Sequence, residues 1–207
     1  MKKIILSLFD YTGNWSEPFE NDYEVIKIDI KNGIDILSWD YKKIKKENVK
    51  GILAAIPCTD YAVSGARWFK EKDINGTTEK SQELVKKTKE IIDYFQPEFW
   101  VIENPVSRIH TLNTWIGKPK MYFHPYEYAH FSNQNEQYSK KTSLYGNFNY
   151  KKLQSLKGNL KCLDNKKIHE PTRKDGTKIK WASEECKEAR QETPKGFSKA
   201  FFISTLS

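Results

Sequence analysis

A cysteine, a glutamate and two aspartates carry the chemistry open to this chain, and each stands at or just beyond a short apolar stretch. Cys58 follows Pro57 in Gly51-Ile-Leu-Ala-Ala-Ile-Pro-Cys-Thr-Asp-Tyr-Ala-Val-Ser-Gly65. The run Ile52 to Ile56 is too short for a helix and suits a fully buried strand. Pro57 has no N–H to give to a ladder and ends it. Cys58 is therefore expected at the carboxyl edge of a sheet, where open α/β folds bind their ligands. A free cysteine is most often a small buried hydrophobe. Here the preceding proline and the polar Thr59-Asp60 that follow argue for a thiol at a cleft. Glu103 follows a second short apolar run, Phe99-Trp-Val-Ile102. Asp29 stands near the end of an alternating stretch, Tyr23 to Ile30, downstream of a loop containing Gly13. An acidic residue so placed is where nucleoside-binding folds accept ribose hydroxyls. Asp35, between Ile34 and Ile36, offers a further carboxylate.

These groups need a scaffold, and the hydrophobic pattern supplies one. Lys3 to Phe9 reads as a strand, followed by a loop from Asp10 to Ser16 in which Gly13 permits a tight turn or a close approach to a ligand. Tyr41 to Asn48 is lysine-rich and reads as a solvated helix or loop. Arg67 to Asp73 reads as an aromatic-bearing loop, and Asn75-Gly76 as a turn. The clearest helix is Glu79 to Gln96, with Leu84, Val85, Ile91, Ile92 and Phe95 on one stripe, Thr78 as its cap and Pro97 as its stop. Met121 to His130 reads as late strands or a cleft wall, and Lys140 and Lys141 precede another strand. Residues 151–192 hold few large apolar residues and read as a small excursion. Phe197 to Leu206 is apolar enough to dock back as a helix. Strand, helix and strand in alternation predict an α/β fold, a mainly parallel sheet with helices on both faces.

The 207 residues suffice for one domain with a proper core. There is no apolar run long enough to span a bilayer, and the amino end reads as a first strand rather than a signal peptide. Three widely spaced cysteines, Cys58, Cys162 and Cys186, form no disulfide framework, which points to a reducing cytoplasm. They also lack the paired spacing of a zinc site, and Cys162, His169 and Cys186 are not taken as metal ligands. Of the net charge of +8, residues 151–207 carry most, with 14 Lys/Arg against 7 Asp/Glu. A basic segment beside a near-neutral body predicts a polyanionic partner, most simply nucleic acid.

Taken together, these residues resemble the DNA cytosine-C5 methyltransferase family in a small, phage- or bacterium-like form. Phe9-Asp-Tyr-Thr-Gly13 resembles that family's cofactor loop, Phe-x-Gly-x-Gly. Pro57-Cys-Thr-Asp-Tyr-Ala-Val-Ser-Gly65 resembles its Pro-Cys-Gln-x-Phe-Ser-x-x-Gly nucleophile motif, and Glu103-Asn104-Pro105 its Glu-Asn-Val motif. Lys140-Lys141-Thr142 is similar to the basic motif that follows, where the family prefers arginines. Thr193-Pro-Lys-Gly-Phe-Ser-Lys-Ala-Phe-Phe202 resembles the closing segment. The likeness covers most of residues 1–146 and 193–206. It departs at Tyr11, Thr59 and Ala62, which replace a glycine, a glutamine and a serine. The stretch from Gly146 to Thr193 is far shorter than a typical target-recognition domain.

The resemblance implies a Rossmann-like class I methyltransferase fold and methyl transfer to C5 of cytosine in DNA. It makes Cys58 the nucleophile, Glu103 the group at N3 of the base, and Lys141 (or Lys140) a cation for the activated base or its phosphate. S-adenosylmethionine would lie over Gly13, lined by Phe9, Asp10, Ile30, Ile36 and Pro57, with Asp29 on its ribose and Asp35 near its adenine. Residues 1–150 would form the catalytic domain, 151–192 a reduced recognition region, and 193–207 a segment packing back on the catalytic domain. Two alternatives stay open: the same chemistry on RNA, single-stranded DNA or a free cytosine nucleotide, and a catalytically inactive nucleic-acid-binding relative.

Overall fold

The computed structural model describes residues 2–132, 136–163, 176–179, 183 and 190–206. The chain forms two compact units, one of residues 1–122 and 142–148, the other of residues 123–141 and 149–207.

The first unit is built on a sheet whose strands are β1 (Ile4–Leu8), β2 (Glu24–Ile28), β3 (Val49–Ala54), β4 (Phe99–Pro105), β5 (Met121–Phe123) and β6 (Thr142–Asn147). Their order across the sheet is β2-β1-β3-β4-β6-β5. β1 pairs in parallel with β2 and β3, and β3 with β4, whereas β6 runs antiparallel to β4. This is a Rossmann-like α/β arrangement. The order in which successive strands are added reverses between β1 and β3, while β1, β2, β3 and β4 stay parallel and their carboxyl ends share one edge, the kind at which such folds bind ligands.

Alternation along the strands sends Leu6, Leu8, Ile52, Ala54 and Ile102 into one core cluster, where they meet Val85, Ile91, Ile92 and Phe95 of α2 (Thr77–Phe95). The residues between them, Ile5, Leu53 and Val101, are equally buried. The sheet is thus covered on both faces, which is why its strands read as continuous apolar runs.

Several boundaries differ from the sequence reading. β4 extends through Glu103 and Asn104 to Pro105, because β6 pairs along its whole outer edge, from Trp100↔Asn147 to Pro105↔Thr142. β3 begins and ends earlier than Ile52–Ile56, and Ile56 stays buried without a ladder partner. Arg67–Asp73 is not a loop: a 3-10 helix over Val63–Trp68 leads into α1 (Phe69–Ile74). Thr78 does not cap α2. Gly76 occupies that position with φ +77°, and Thr78 is buried inside the first turn, its hydroxyl donating to Asp73 at 2.6 Å. Within the lysine-rich stretch, Tyr41 is buried against Tyr94 and Phe95 while the lysines around it face outward.

In the second unit, the closing helix Lys195–Thr205 packs on the 3-10 turn Pro125–Phe131. Phe197 stacks flat on Phe123 at 3.9 Å between ring centres. The buried carboxylate of Glu136 accepts the backbone N–H groups of Lys195 and Gly196 at 2.7 and 2.8 Å. It satisfies donors that the start of a helix leaves unpaired, and its charge is favourable there. Among the described residues no helix is long and apolar enough to cross a membrane.

Candidate active site

The edge where β1 and β2 end is shaped by two residues with left-handed backbone. Phe9 has φ +61° and Gly13 φ +73°. A non-glycine residue in that region is uncommon, and such conformations concentrate at ligand clamps. The Phe9 N–H donates to the Ile28 carbonyl at 2.7 Å, locking the end of β1 to the end of β2. Asp10 is buried, and one carboxylate oxygen accepts from the Ser7 hydroxyl, the Ser16 hydroxyl and the Ser16 N–H at 2.8, 2.7 and 3.2 Å. Asp10 therefore folds the loop on itself and leaves Tyr11 half in solvent.

Asp29 follows β2 in partly exposed, extended backbone and caps the turn Ile30–Asn32 by accepting from the Lys31 N–H at 2.8 Å. Next to it Ile30 is 74% exposed, which is unusual for a large aliphatic side chain beside a buried strand. Asp35 is exposed and accepts from the Leu37 N–H at 3.0 Å, whereas Ile36 is buried in the core cluster. A carboxylate, an exposed apolar side chain and a second carboxylate thus line one edge.

Cys58 stands where the chain leaves β3. Its carbonyl accepts from the N–H groups of Tyr61 and Ala62 at 3.0 and 2.8 Å, so it opens a tight turn, and its side chain is only partly covered, as is Pro57. Glu103 lies in the neighbouring strand, where the parallel register sets Ala54 against Ile102, and it is 6% exposed. The two ends are tied together by Asn104, which is fully buried and whose amide donates to the Ile56 carbonyl at 2.9 Å. The structure thus brings Cys58 and Glu103 to the carboxyl ends of adjacent strands. Lys141 belongs to the second unit, where it is exposed just before β6. There its charge, behind the larger effect of burial, helps to lower the pKa of His124, against the raising influence of Glu127.

The residues that support the turn after Cys58 were not visible in the sequence pattern. Arg108 donates two hydrogen bonds to the Asp73 carboxylate, at 2.8 and 2.7 Å, one to the Asp60 carbonyl at 3.2 Å and one to the Thr78 hydroxyl at 3.1 Å. Its guanidinium lies 3.7 Å from the centre of the Phe69 ring. Hydrogen bonds from Arg108 and Thr78 pull the Asp73 carboxyl down to about 2. The Asp60 carboxylate is itself buried and paired with Lys72 at 2.8 Å and with Ser81. Tyr61 is wholly buried, and burial, followed by the charge of Asp60, pushes its hydroxyl far above the usual phenol range. The one cue available in the sequence was composition, since the chain has only four arginines among 35 Lys/Arg.

Among the described residues no group of three or more His, Cys, Asp and Glu is placed to hold a metal ion. Cys162 is partly buried, while Cys186, His169 and the basic residues Lys166, Lys167, Arg173 and Lys174 lie outside the described residues.

Residues 11–115, just over half of the chain, match the family model described as C-5 cytosine-specific DNA methylase. Among solved structures the chain is similar to a candidate DNA modification methyltransferase from E. coli, encoded within a prophage. The two share 12% identity with a TM-score of 0.41, over 70% of this chain and 46% of that one. The chain thus spans less than half the length of that neighbour. No curated protein matches it.

Proposed function

The chain belongs to the C-5 cytosine-specific DNA methylase family, and on that premise we propose that it transfers a methyl group to C5 of cytosine in DNA through a covalent bond between Cys58 and C6. The observation that carries this reading is the placement of Cys58 and Glu103 at the carboxyl ends of the adjacent strands β3 and β4, with Asn104 bonded to the Ile56 carbonyl at 2.9 Å.

The β1–β2 edge fits S-adenosylmethionine in its donor set. The Asp29 carboxylate suits a ribose diol, the exposed Ile30 a flat apolar ring, and Asp35 an exocyclic amine. Phe9 and Gly13 turn the chain away to leave room, while Asp10 and Ile36 hold the loops from within. When bound there, S-adenosylmethionine supplies an electrophilic methyl group. The rest is done by the chain. Cytosine C5 is too weak a nucleophile unaided, so the Cys58 thiolate adds to C6 and pushes electron density toward C5. Glu103 holds a proton at N3 as negative charge develops on the ring. After C5 is methylated, its proton leaves, the S–C6 bond breaks, and Cys58 is released as thiolate. Pro57 sets the direction in which Cys58 leaves β3, and Lys141, with Lys140 beside it, is proposed as the cation for the activated base or its phosphate. A duplex substrate must have its base flipped out, at a cost of about a few kcal/mol. In this reading residues 1–150 are catalytic, the basic stretch 151–192 is a reduced recognition region that meets phosphates, and 193–207 closes the fold.

The test is a duplex carrying 5-fluorocytosine, incubated with S-adenosylmethionine. Fluorine cannot leave as a cation, so the protein should be caught as a stable adduct at Cys58. Cys58→Ala should form none, while Cys162→Ala and Cys186→Ala should still trap. Methylated product from Cys58→Ala, or an adduct mapped to another cysteine, overturns the assignment. Running RNA, single-stranded DNA and dCMP beside the duplex decides the substrate, because the recognition stretch is short.

A further inference from the structure

The Cys58 turn is fastened at its base by backbone. The Val63 N–H donates to the Val106 carbonyl at 3.0 Å, Ala62 and Ser107 form a β-bridge, and the Arg108 N–H donates to the Tyr61 carbonyl at 2.9 Å. These contacts hold residues 61–63 against the chain that leaves Glu103. Beyond Val63 they do not reach the excursion that follows, which runs through Trp68 and α1 and carries exposed Trp68 and Ile74.

The Arg108 side chain closes the excursion onto its own root. Its Nε binds the Asp60 carbonyl near the start, its two terminal nitrogens grip Asp73 near the end, and one of them also reaches Thr78 in the first turn of α2. The planar fork matches a carboxylate with two parallel bonds, a geometry an ammonium group cannot reproduce. Its face rests on Phe69 in the middle of the same segment. Lys72 fastens the same place from the other side, pairing with Asp60 and donating to the Thr59 carbonyl at 2.6 Å. The Asp73 carboxyl titrates near 2, so the grip stays charged through any working pH.

We propose that Arg108 is a positioning residue, whose grip on Asp60, Asp73 and Thr78 holds the Cys58 turn in register with Glu103 and sets the rate of covalent addition rather than the affinity for DNA or cofactor. The proposal rests on the reading of Cys58 as nucleophile. Addition requires sulfur to meet C6 while Glu103 meets N3 of the same ring, so two distances must be right together. A misplacement of about 1 Å costs about 100-fold in rate. The backbone bridge at Ala62 and Ser107 does not use the Arg108 side chain, so removing that side chain should loosen the register and leave the bridge in place.

The test measures the single-turnover rate of adduct formation on 5-fluorocytosine duplex, together with the dissociation constants for duplex and S-adenosylmethionine and the unfolding temperature. Arg108→Ala should slow adduct formation about 100-fold, with both dissociation constants within about threefold of the original protein. Arg108→Lys should recover only part of the rate. Asp73→Ala should also slow the reaction, and the double variant should be no slower than Arg108→Ala, because both act through one grip. If Arg108→Ala does not fold, Asp73→Asn, which keeps the side-chain volume, carries the test. A folded variant that traps within threefold of the original rate, or one whose lost rate is matched by lost affinity, overturns the role of Arg108 alone. An original protein that forms no adduct, or forms it elsewhere than Cys58, overturns the nucleophile assignment and the positioning role with it.

Discussion

Replacing Asn104 by alanine isolates the bond that joins the two halves of the site. Asn104 is fully buried, its amide nitrogen donates to the Ile56 carbonyl at 2.9 Å, and its own carbonyl oxygen is buried without a hydrogen-bond partner. Truncation strands the Ile56 carbonyl, which costs about 1–3 kcal/mol. It also removes an amide oxygen whose desolvation was never repaid, which offsets part of that loss. The net is about 1–2 kcal/mol, and for a chain of this size that lowers the unfolding temperature by about 2–8 °C. The catalytic loss should be larger. Cys58 lies two residues beyond Ile56 and Glu103 immediately precedes Asn104, so loosening this bond moves both groups. A fall in kcat of about 100-fold is expected at saturating S-adenosylmethionine, with cofactor affinity unchanged because the β1–β2 edge is untouched. Asn104→Asp adds a diagnostic. A buried carboxylate cannot donate to the Ile56 carbonyl, but its protonated form can, and burial raises its folded pKa above the unfolded value of about 3.9. Stability should therefore be regained as pH falls from that raised value toward about 4. Calorimetry and single-turnover methylation measure both quantities. A kcat within threefold of the original, alongside the expected loss of stability, would show that the bond holds the fold and not the reaction.

Three further outcomes follow from the geometry. Asp29→Ala should weaken S-adenosylmethionine binding by about 1.5–3 kcal/mol, the range for a hydrogen bond to a charged group, and isothermal titration showing unchanged affinity rejects the placement. Asp73→Asn should lower the unfolding temperature above about pH 4. Because the Asp73 carboxyl is pulled down to about 2, the stability it contributes is present above its unfolded pKa and lost as pH falls toward 2, so the original and variant curves should converge there. Gly146 has φ +126°, and a Cβ on it would sit 2.2 Å from the Trp100 carbonyl oxygen. Gly146→Ala should then cost at least about 2 kcal/mol by thermal unfolding, since the neighbour is strand backbone; a smaller loss would mean that β6 shifts against β4.

That Cys58 and Glu103 stand near strand carboxyl ends could be read from sequence because a short apolar run precedes each, although β4 runs on through Glu103 to Pro105 where β6 pairs with it. Buried parallel strands advertise themselves in that way, and a strand end is where a side chain can leave the core. What stayed hidden is held by pairs far apart in the chain. Arg108 grips Asp73 across 35 positions, and Glu136 caps a helix about 60 residues later. Neither leaves a periodic trace. The segment Arg67–Asp73 read as loop because Trp68 faces outward and Phe69 is only half-buried, so no stripe marks its helical turns. Tyr41 was masked by the lysines that follow it. Thr78 was misread because a threonine before a helix imitates a cap, while the helix actually starts two residues before Glu79, at Thr77 after the glycine cap Gly76.

The antiparallel placement of β6 bears on how the chain is made. The outer edge of β4 is covered by β6 and by no other strand. β6 leaves the ribosome roughly 40 residues after β4 ends, a delay of about 2–8 s at ordinary rates of synthesis. During that interval β1, β2, β3, α2 and β4 can already assemble, while Phe99 to Pro105 presents a bare edge of unpaired backbone groups. Unpaired edges of this kind recruit other chains. The hazard therefore falls on the nascent chain, and slow translation across residues 106–141 should favour aggregation in the cell even where the finished protein is stable.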